Sequence, residues 1–185
     1  MSEVNTTRLN FLAGELGMLP EGKPLNIKEH MVTMAEDQLS GLKQFFEDAK
    51  GSNGDALDAS KDWVERAEAD LHYAHMTTEG KHIEQANEGI KKEFGIDASN
   101  YTADGVISQH DVISMMVDLS AFAVGSVEQQ HIGNVEAFLA DNGLSGDFTA
   151  DQIKALAKLD ASMEGREIER VAKRPDFVPG ITLLQ

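Results

Sequence analysis

Cysteine is absent from the 185-residue chain, which excludes disulfides and thiolate metal ligands and leaves no signal for a redox compartment. Basic side chains are scarce: 16 Lys and Arg stand against 32 Asp and Glu, for a formal net charge of −16. Such a field repels phosphate backbones and anionic lipids, so we expect the chain to bind neither nucleic acid nor membranes. Three reasons for the acidic excess stay open: solubility, a basic protein partner or bound cations.

Long apolar runs and the common catalytic motifs are missing as well. The longest apolar stretch, Val112 to Val124, is interrupted by Ser114, Asp118 and Ser120, and it is too short to span a bilayer. The N-terminus lacks a basic region followed by an apolar one. The sequence contains no Gly-rich phosphate loop, serine elbow or cysteine nucleophile. We therefore expect a soluble, non-enzymatic protein of the cytoplasm or of an assembled particle, with no required cofactor.

What the chain does contain is an internal repeat, with one copy at Glu79–Asp104 and another at Glu128–Asp151. Each copy reads Glu-x-x-His-Ile, a helical run, a glycine followed by Ile or Leu, a polar loop, an aromatic residue and Thr-Ala-Asp. This order is typical of one helix ending and another beginning. The repeat therefore predicts two equivalent helix-to-helix turns.

Each turn carries residue types suited to both of its ends. Gly95 and Gly143 can adopt the left-handed conformation that closes a helix. Thr102 and Thr149 have the hydroxyl that caps the start of the next helix. We expect the segments from each glycine to the following aromatic residue to lie outside helices and strands.

Apolar residues recur at three- and four-residue intervals through most of the chain, which is the period of amphipathic helices. One helix is predicted to begin at the N-cap Asn26, with Glu29 completing the capping pattern, and to end at Gly51–Gly54. A second long helix follows, and the polar stretch Thr77–Lys81 predicts a break in it. No strand-like alternation is found.

Three further helical segments are predicted downstream, and the first two make up one long, broken helix. Val112–Val124 is apolar on nearly every face, which is typical of the central, most buried helix of a domain. Ser126 with Gln129, and Thr149 with Gln152, match the capping box at the start of a helix. The sequence thus predicts an all-α fold: a bundle of four main helices, two of them long and broken.

The bundle is predicted to occupy residues 26–174, between an N-terminal arm (1–25) and a C-terminal arm (175–185). Both arms are apolar, so each must be buried on its own core or on a neighbouring subunit. The N-terminal arm is predicted to contain a short amphipathic helix that ends near Gly17. Its apolar residues are Leu9, Phe11, Leu12, Leu16, Met18 and Leu19.

The repeat also places two Glu-x-x-His pairs, Glu79/His82 and Glu128/His131, at helical spacing. Residues three apart share a helix face, so each pair can present one oxygen and one nitrogen ligand. Ferritin-like bundles hold two metal ions in this way, with single glutamates supplied by the other two helices. In this chain the periodicity of the first long helix turns Glu36 outward, which departs from that pattern.

His75, Glu79 and His82 also form a line along one helix face, and such a line can bind a divalent ion when another helix supplies a further ligand. The alternative is structural: these residues form the polar edge of a broken helix. His131 falls within a buried stripe, where a hydrogen-bonded core histidine is the commoner outcome. The five candidate ligands are therefore His75, Glu79, His82, Glu128 and His131.

A third pattern, Asn100–Asp111, resembles the calcium loop of EF-hand proteins. Asp104, Gly105, Ile107 and Asp111 stand at the fifth, sixth, eighth and twelfth positions of that loop. Asn100 and Thr102 occupy the first and third positions, where the family favours Asp, and Asp111 is shorter than the usual glutamate. The resemblance implies a helix–loop–helix junction. Asp141–Gln152 fits the same frame, with Gly143 and Gln152 at ligand positions.

The sequence favours a non-catalytic acidic helical protein that assembles with copies of itself or with other protein subunits, as scaffold or virion-type structural components do. The apolar arms and the missing catalytic motifs are the basis of this prediction. Two alternatives stay open: a ferritin-like metal-binding bundle and an acidic regulator of a basic protein. We expect a homo-oligomer or a subunit of a larger assembly.

Overall fold

The computed structural model describes residues 3–50, 54–76 and 79–167. Within these ranges the chain is all-α, as predicted, with seven α-helices and one very short sheet. The helices are α1 (Thr7–Glu15), α2 (Ile27–Ala49), α3 (Gly54–Met76), α4 (Glu79–Phe94), α5 (Gln109–Leu119), α6 (Gln129–Asp141) and α7 (Ala150–Ser162). The strands are β1 (Leu25–Asn26) and β2 (Val106–Ile107). The predicted C-terminal arm (175–185) lies outside the described residues.

The predicted N-terminal helix is present as α1, and it packs into the core of its own chain. Leu9, Leu12, Ala13 and Leu16 are each at most 2% exposed. They share one cluster with residues of α2, α4, α5, α6 and α7. Of the two burial partners that the sequence left open for this arm, its own core is therefore the one found.

The centre of that core is α5, as the apolar run predicted. Val112, Ile113, Met115 and Met116 are fully buried on it. The run does not stay buried to its end, because a 3₁₀ turn (Ser120–Phe122) follows α5 and carries the chain to the surface.

Helices α2 and α3 form a long antiparallel hairpin, here called the α2–α3 hairpin. Each helix has 23 residues, which corresponds to about 34 Å. The Asn26 side chain accepts a hydrogen bond from the Glu29 backbone N–H, so the predicted cap is confirmed. The predicted break at Thr77–Lys81 falls in part on residues 77 and 78, which lie outside the described residues, while Glu79 to Lys81 belong to α4.

In the α2–α3 hairpin, the two helices meet along a line of small buried residues. On α3, Ser60, Ala67 and Ala74 recur every seven residues and are at most 3% exposed. Small residues at this spacing let two helices approach closely. Among the described residues, α3 contributes nothing to the main core cluster, so the outer part of the hairpin is stabilised only by contact between its two helices.

The β1–β2 sheet was not expected from the sequence. Leu25 lies opposite Ile107 in antiparallel register, and the Ile27 N–H donates to the Gly105 carbonyl over 2.9 Å. Two residues per strand are too few to show the alternation that identifies strands in a sequence. The pairing ties the loop before α2 to the loop before α5.

The glycine ends of the repeat are confirmed. Gly95 and Gly143 have φ of +72° and +69°, and neither turn segment lies in a helix or strand. Thr149 caps α7 through a capping box with Gln152, also as predicted.

The prediction that Thr102 caps a helix is wrong. Thr102 is fully buried, and its hydroxyl lies within hydrogen-bonding distance of Asn87 Oδ1 and of the Ala98 carbonyl oxygen. Helix α5 begins seven residues later, capped by Ser108 in a capping box with Asp111. The Thr102 hydroxyl, which the repeat predicted to cap a helix, therefore makes a tertiary contact instead.

The EF-hand frame gives the better structural equivalence between the two loops. At its sixth position, Gly105 and Gly146 have φ of +77° and +87°. Buried Ile107 and Phe148 follow two residues later at its eighth position. The caps Ser108 and Thr149 come next, directly before α5 and α7. The loop before α2 ends in the same way, with buried Leu25 followed by the cap Asn26.

The predicted cap at Ser126 is also wrong. Helix α6 begins at Gln129, and Ser126 Oγ instead donates to Glu128 Oε1 over 3.3 Å. One residue earlier, Gly125 is pressed against α7. A Cβ atom at Gly125 would lie 2.6 Å from Ala161 Cβ and 2.8 Å from the Lys158 carbonyl oxygen.

Replacing Gly125 with Ala is therefore expected to lower the free energy of unfolding by roughly 1–3 kcal/mol, because the new methyl group meets the α7 backbone. Gly41→Ala is the matched control. No atom lies within 4 Å of a Cβ at Gly41, which is an exposed position in α2, so alanine is expected to stabilise by roughly 0.5–1 kcal/mol. Urea unfolding of both variants measures the difference. Equal effects of the two substitutions would contradict the close approach at Gly125.

Candidate functional site

The five predicted metal ligands occupy different environments. His75 is exposed in the last turn of α3, and His82 is 2% exposed on α4. Glu79 is the first residue of α4, and its side chain lies outside the described residues. Glu128 is exposed at the N-cap position of α6, and His131 is 3% exposed within that helix.

The described part of the chain contains no group of three or more His, Asp or Glu side chains placed to hold a metal ion. Glu36 is exposed on α2, in the outward position that its sequence spacing predicted. The two oxygens of Glu128 accept from Ser126 and Gln130. Gln130 Nε2 contacts both side chains of this Glu-x-x-His pair, lying 3.4 Å from Glu128 Oε2 and 3.2 Å from His131 Nε2.

His131 instead belongs to a buried polar cluster centred on Asp160 of α7, here called the Asp160 cluster. Asp160 is fully buried. Arg8 holds both of its oxygens, with Nε 3.0 Å from Oδ1 and Nη2 3.1 Å from Oδ2. His131 Nδ1 lies 2.7 Å from Oδ2, and Asn134 Nδ2 donates to the same oxygen over 2.8 Å. The carboxylate thus has four contacts from three side chains.

The Asp160 cluster joins three helices that are far apart in the sequence. Arg8 lies in the first turn of α1, and His131 and Asn134 are three residues apart on one face of α6. The cluster also fixes the residues before α1, because the Asn5 N–H donates to Asn134 Oδ1 over 2.8 Å. The Asp160 cluster therefore holds the N-terminal segment against α6 and α7 through polar contacts.

Burial alone would raise the pKa of Asp160. The hydrogen bonds from Arg8, Asn134 and His131 outweigh that effect and hold the pKa below its ordinary value. The hydrogen bond to Asp160 in turn raises the pKa of the Arg8 guanidinium. Both shifts favour the charged pair, so Asp160 is ionised and Arg8 protonated in the folded chain.

The outer nitrogen of His131 is also engaged. Nε2 lies 3.2 Å from the Gln130 amide nitrogen and 3.4 Å from Glu164 Oε2. A histidine oriented by a buried aspartate can act as a general base when a hydroxyl or thiol lies at its other nitrogen. In the described residues an amide and a carboxylate occupy that place. The geometry therefore supports a structural role for this Asp–His pair.

The spacing of α6 correctly predicted that His131 is a hydrogen-bonded core residue, whereas Asp160, Arg8 and Asn134 were not predicted. One signal was available. Asp160 follows Leu156 by four residues, on the apolar face of α7, where an unpaired carboxylate would be costly. That position predicts a buried partner without saying which residue supplies it.

The EF-hand-like loop Asn100–Asp111 uses several candidate ligands to hold its own backbone. Thr102 points inward, and Asp104 Oδ1 accepts from the Val106 N–H over 3.1 Å. Asp111 Oδ2 accepts from the Ser108 N–H in the capping box. Of these side chains, Asp111 takes part in the cap of α5, Asp104 holds the loop backbone and Thr102 is buried against Asn87.

Two apolar surfaces complete the set of candidate sites. One is on the α2–α3 hairpin, where the Phe45 and Trp63 rings lie 5.8 Å apart at the surface. The other is a groove of about 300 Å³ between α1, the end of α4, the turn after α5 and the end of α7. Residues that line this groove include Leu12, Phe94, Leu119, Phe122, Leu159 and Met163. We call these surfaces the aromatic patch and the apolar groove.

Comparison with known protein families, curated proteins and solved structures finds no match to this chain. Across the described residues, each helix is too short or too polar to cross a bilayer. The Asp160 cluster, the aromatic patch and the apolar groove are therefore the features that bear on function.

Proposed function

We propose that this protein is a non-catalytic assembly component, an acidic helical subunit that docks on copies of itself in the manner of scaffold or virion-type structural proteins. The aromatic patch is the observation that carries the proposal. Phe45 and Trp63 are 47% and 46% exposed, yet they pack against each other on the outside of the α2–α3 hairpin. Large aromatic residues at the surface are typical of protein interfaces.

Further apolar side chains on α3 extend this exposed surface. Tyr73 is 52% exposed and Met76 is 71% exposed, and both residue types are enriched at interfaces. Leu57, Val64 and Leu71 on the same helix are only partly buried by α2. A pair of helices that buries its large residues this incompletely gains stability when another helical layer covers it.

Self-docking would form a four-helix bundle between two copies, distinct from the bundle that the sequence predicted within one chain. Two copies of the α2–α3 hairpin supply four helices of 23 residues each. Packing them together would cover the aromatic patch of each copy, with the same surface contributed by both partners as two-fold symmetry requires. Ile27 and Met31 of α2 lie in the main core and would anchor each hairpin to its own domain.

The charge of the hairpin favours a second candidate, binding to a basic protein partner. Helix α2 carries five acidic and two basic side chains, and α3 carries six acidic and two basic ones. Salt distinguishes the candidates. Self-association of two acidic hairpins should strengthen as salt screens their repulsion, whereas binding of a basic partner should weaken.

The proposal predicts that the wild-type chain self-associates and that Phe45→Ala/Trp63→Ala reduces the association at least ~100-fold, as loss of two interface anchors would. Sedimentation velocity over a concentration series measures this, with Phe122→Ala as the control for an exposed aromatic residue elsewhere. Trp63 is the only tryptophan, so its emission in the wild type should shift to the blue as the chain associates. A wild type that stays monomeric at every concentration and salt level would rule out self-docking.

A further inference from the structure

The apolar groove has an uncovered rim that the fold leaves next to the end of the described chain. Phe122 is 70% exposed at the groove, and Val124 just beyond it is 91% exposed. The floor of the groove is apolar and closed, since Leu12, Leu159 and Met163 are each at most 5% exposed. Exposed large apolar residues beside a closed apolar floor are typical of a surface that another segment covers.

The rim is held in place by backbone contacts to α7. The Val124 N–H lies 3.5 Å from Ser162 Oγ, and Gly125 approaches the α7 backbone too closely to tolerate a side chain. These contacts fix the backbone that follows Phe122, whose ring is exposed at the rim. Whatever covers the ring has to come from another part of the chain or from another molecule.

We propose that the C-terminal segment of the same chain, residues 176–185, docks in the apolar groove. Met163 lines the groove and begins the π-helical turn (Met163–Glu167) at the end of the described residues. The following chain therefore starts at the edge of the groove. Nine residues separate Glu167 from Phe177, enough to span about 30 Å when extended.

The composition of the segment fits the groove. From Phe177 onward it contains Phe, Val, Ile and two Leu, and it has no charged side chain. Pro175 and Pro179 disfavour a continuous helix, so an extended strand-like conformation is expected, which suits a narrow groove. The preceding residues differ sharply, with basic side chains at Arg166, Arg170, Lys173 and Arg174. The apolar part thus begins within reach of a linker that starts at the edge of the groove.

The short linker favours docking of the segment from the same chain over docking of the segment from a second copy. A linker of about ten residues holds the segment at an effective concentration in the millimolar range. A second copy competes only when the protein itself approaches that concentration. This inference does not depend on the aromatic patch, because an intramolecular contact at the groove leaves the α2–α3 hairpin free to self-associate.

Introduced cysteines provide the test, because the natural chain has none. Phe122→Cys is combined in the full chain with Phe177→Cys, Ile181→Cys or Leu183→Cys, and disulfides are formed at low protein concentration. At least one pair is expected to give an internal disulfide, seen as an intact monomer that has lost two hydrogens. Trp63→Cys with Ile181→Cys is the control pair, which should stay reduced. Internal disulfides in the control alone, or disulfide-linked dimers in place of monomers, would overturn the proposal.

A second measurement does not depend on disulfide geometry. The single variant Phe122→Cys is labelled with a thiol reagent in the full chain and in a chain that lacks residues 176–185. The docked segment should protect the thiol, so labelling is expected to be at least ~10-fold faster after the deletion. The melting temperature of the full-length variant should also be the higher of the two. Equal labelling rates in the two chains would show that the groove is not covered by this segment.

Discussion

Replacing Asp160 with Ala is expected to lower the free energy of unfolding by roughly 3–5 kcal/mol, the largest effect of a single polar substitution that we predict. The substitution leaves the Arg8 guanidinium, which is only 12% exposed, without its carboxylate. It also removes the acceptor for His131 and Asn134 on α6. Because these groups connect α1, α6 and α7, the N-terminal segment should lose protection from hydrogen exchange along with global stability.

Chemical unfolding measures the loss, and Asp141→Ala is the control, since Asp141 is an exposed aspartate at the end of α6. The control should change stability by no more than about 0.5 kcal/mol. The double variant Arg8→Met/Asp160→Leu should recover much of the stability, because an apolar pair leaves no buried charge unpaired. A double variant as unstable as the sum of its parts would show that Arg8 and Asp160 act independently, contrary to the geometry.

The same carboxylate should make folding sensitive to acid. Its pKa is held below the ordinary value near 3.8, so the unfolded chain binds a proton at a higher pH than the folded chain does. The stability that Asp160 contributes is therefore complete above that ordinary value and is lost as the pH falls through the lower folded pKa. The wild type should lose stability more steeply than Asp160→Asn over this acid range. Parallel pH profiles would contradict a depressed pKa.

Local signals in the sequence predicted those helix starts for which no tertiary contact competes. Asn26 and Thr149 cap α2 and α7 as expected, because each meets the backbone N–H three residues later within its own segment. Thr102 and Ser108 were equally suitable by residue type. Burial of Thr102 against Asn87 decided in favour of Ser108, and a contact across 15 residues is not visible in a capping pattern.

Of the candidate site, only the part that depends on the period of a single helix could be predicted from the sequence. The helical period of α6 placed His131 on a buried face, and the structure confirms it. Its partner Asp160 is 29 residues away, and Arg8 is 152 residues from Asp160. Such pairing depends on how α1, α6 and α7 pack together. The short β1–β2 pairing escaped prediction for a related reason, since its partners come from loops about 80 residues apart, with Leu25 opposite Ile107.

Replacing His131 with Ala is expected to lower the free energy of unfolding by roughly 2–4 kcal/mol, while Glu128→Ala should cost no more than about 1 kcal/mol. His131 loses a buried hydrogen bond to a carboxylate and leaves a cavity between α6 and α7. Glu128 is exposed, makes no capping hydrogen bond to the backbone and only adds negative charge near the start of α6. Two residues of one Glu-x-x-His pair should thus differ strongly.

That difference separates the structural role of the pair from a ferritin-like metal site. If the pair binds metal, each substitution removes one ligand, and both variants should lose the same ion and the stability that its binding supplies. If His131 instead stabilises the Asp160 cluster, neither variant should change the metal content of the purified protein. Only His131→Ala should then unfold at a clearly lower urea concentration. Elemental analysis alongside urea unfolding of the wild type and both variants measures the two properties together. Stoichiometric iron, manganese or zinc in the wild type that disappears from both variants would establish the metal site and refute the structural assignment.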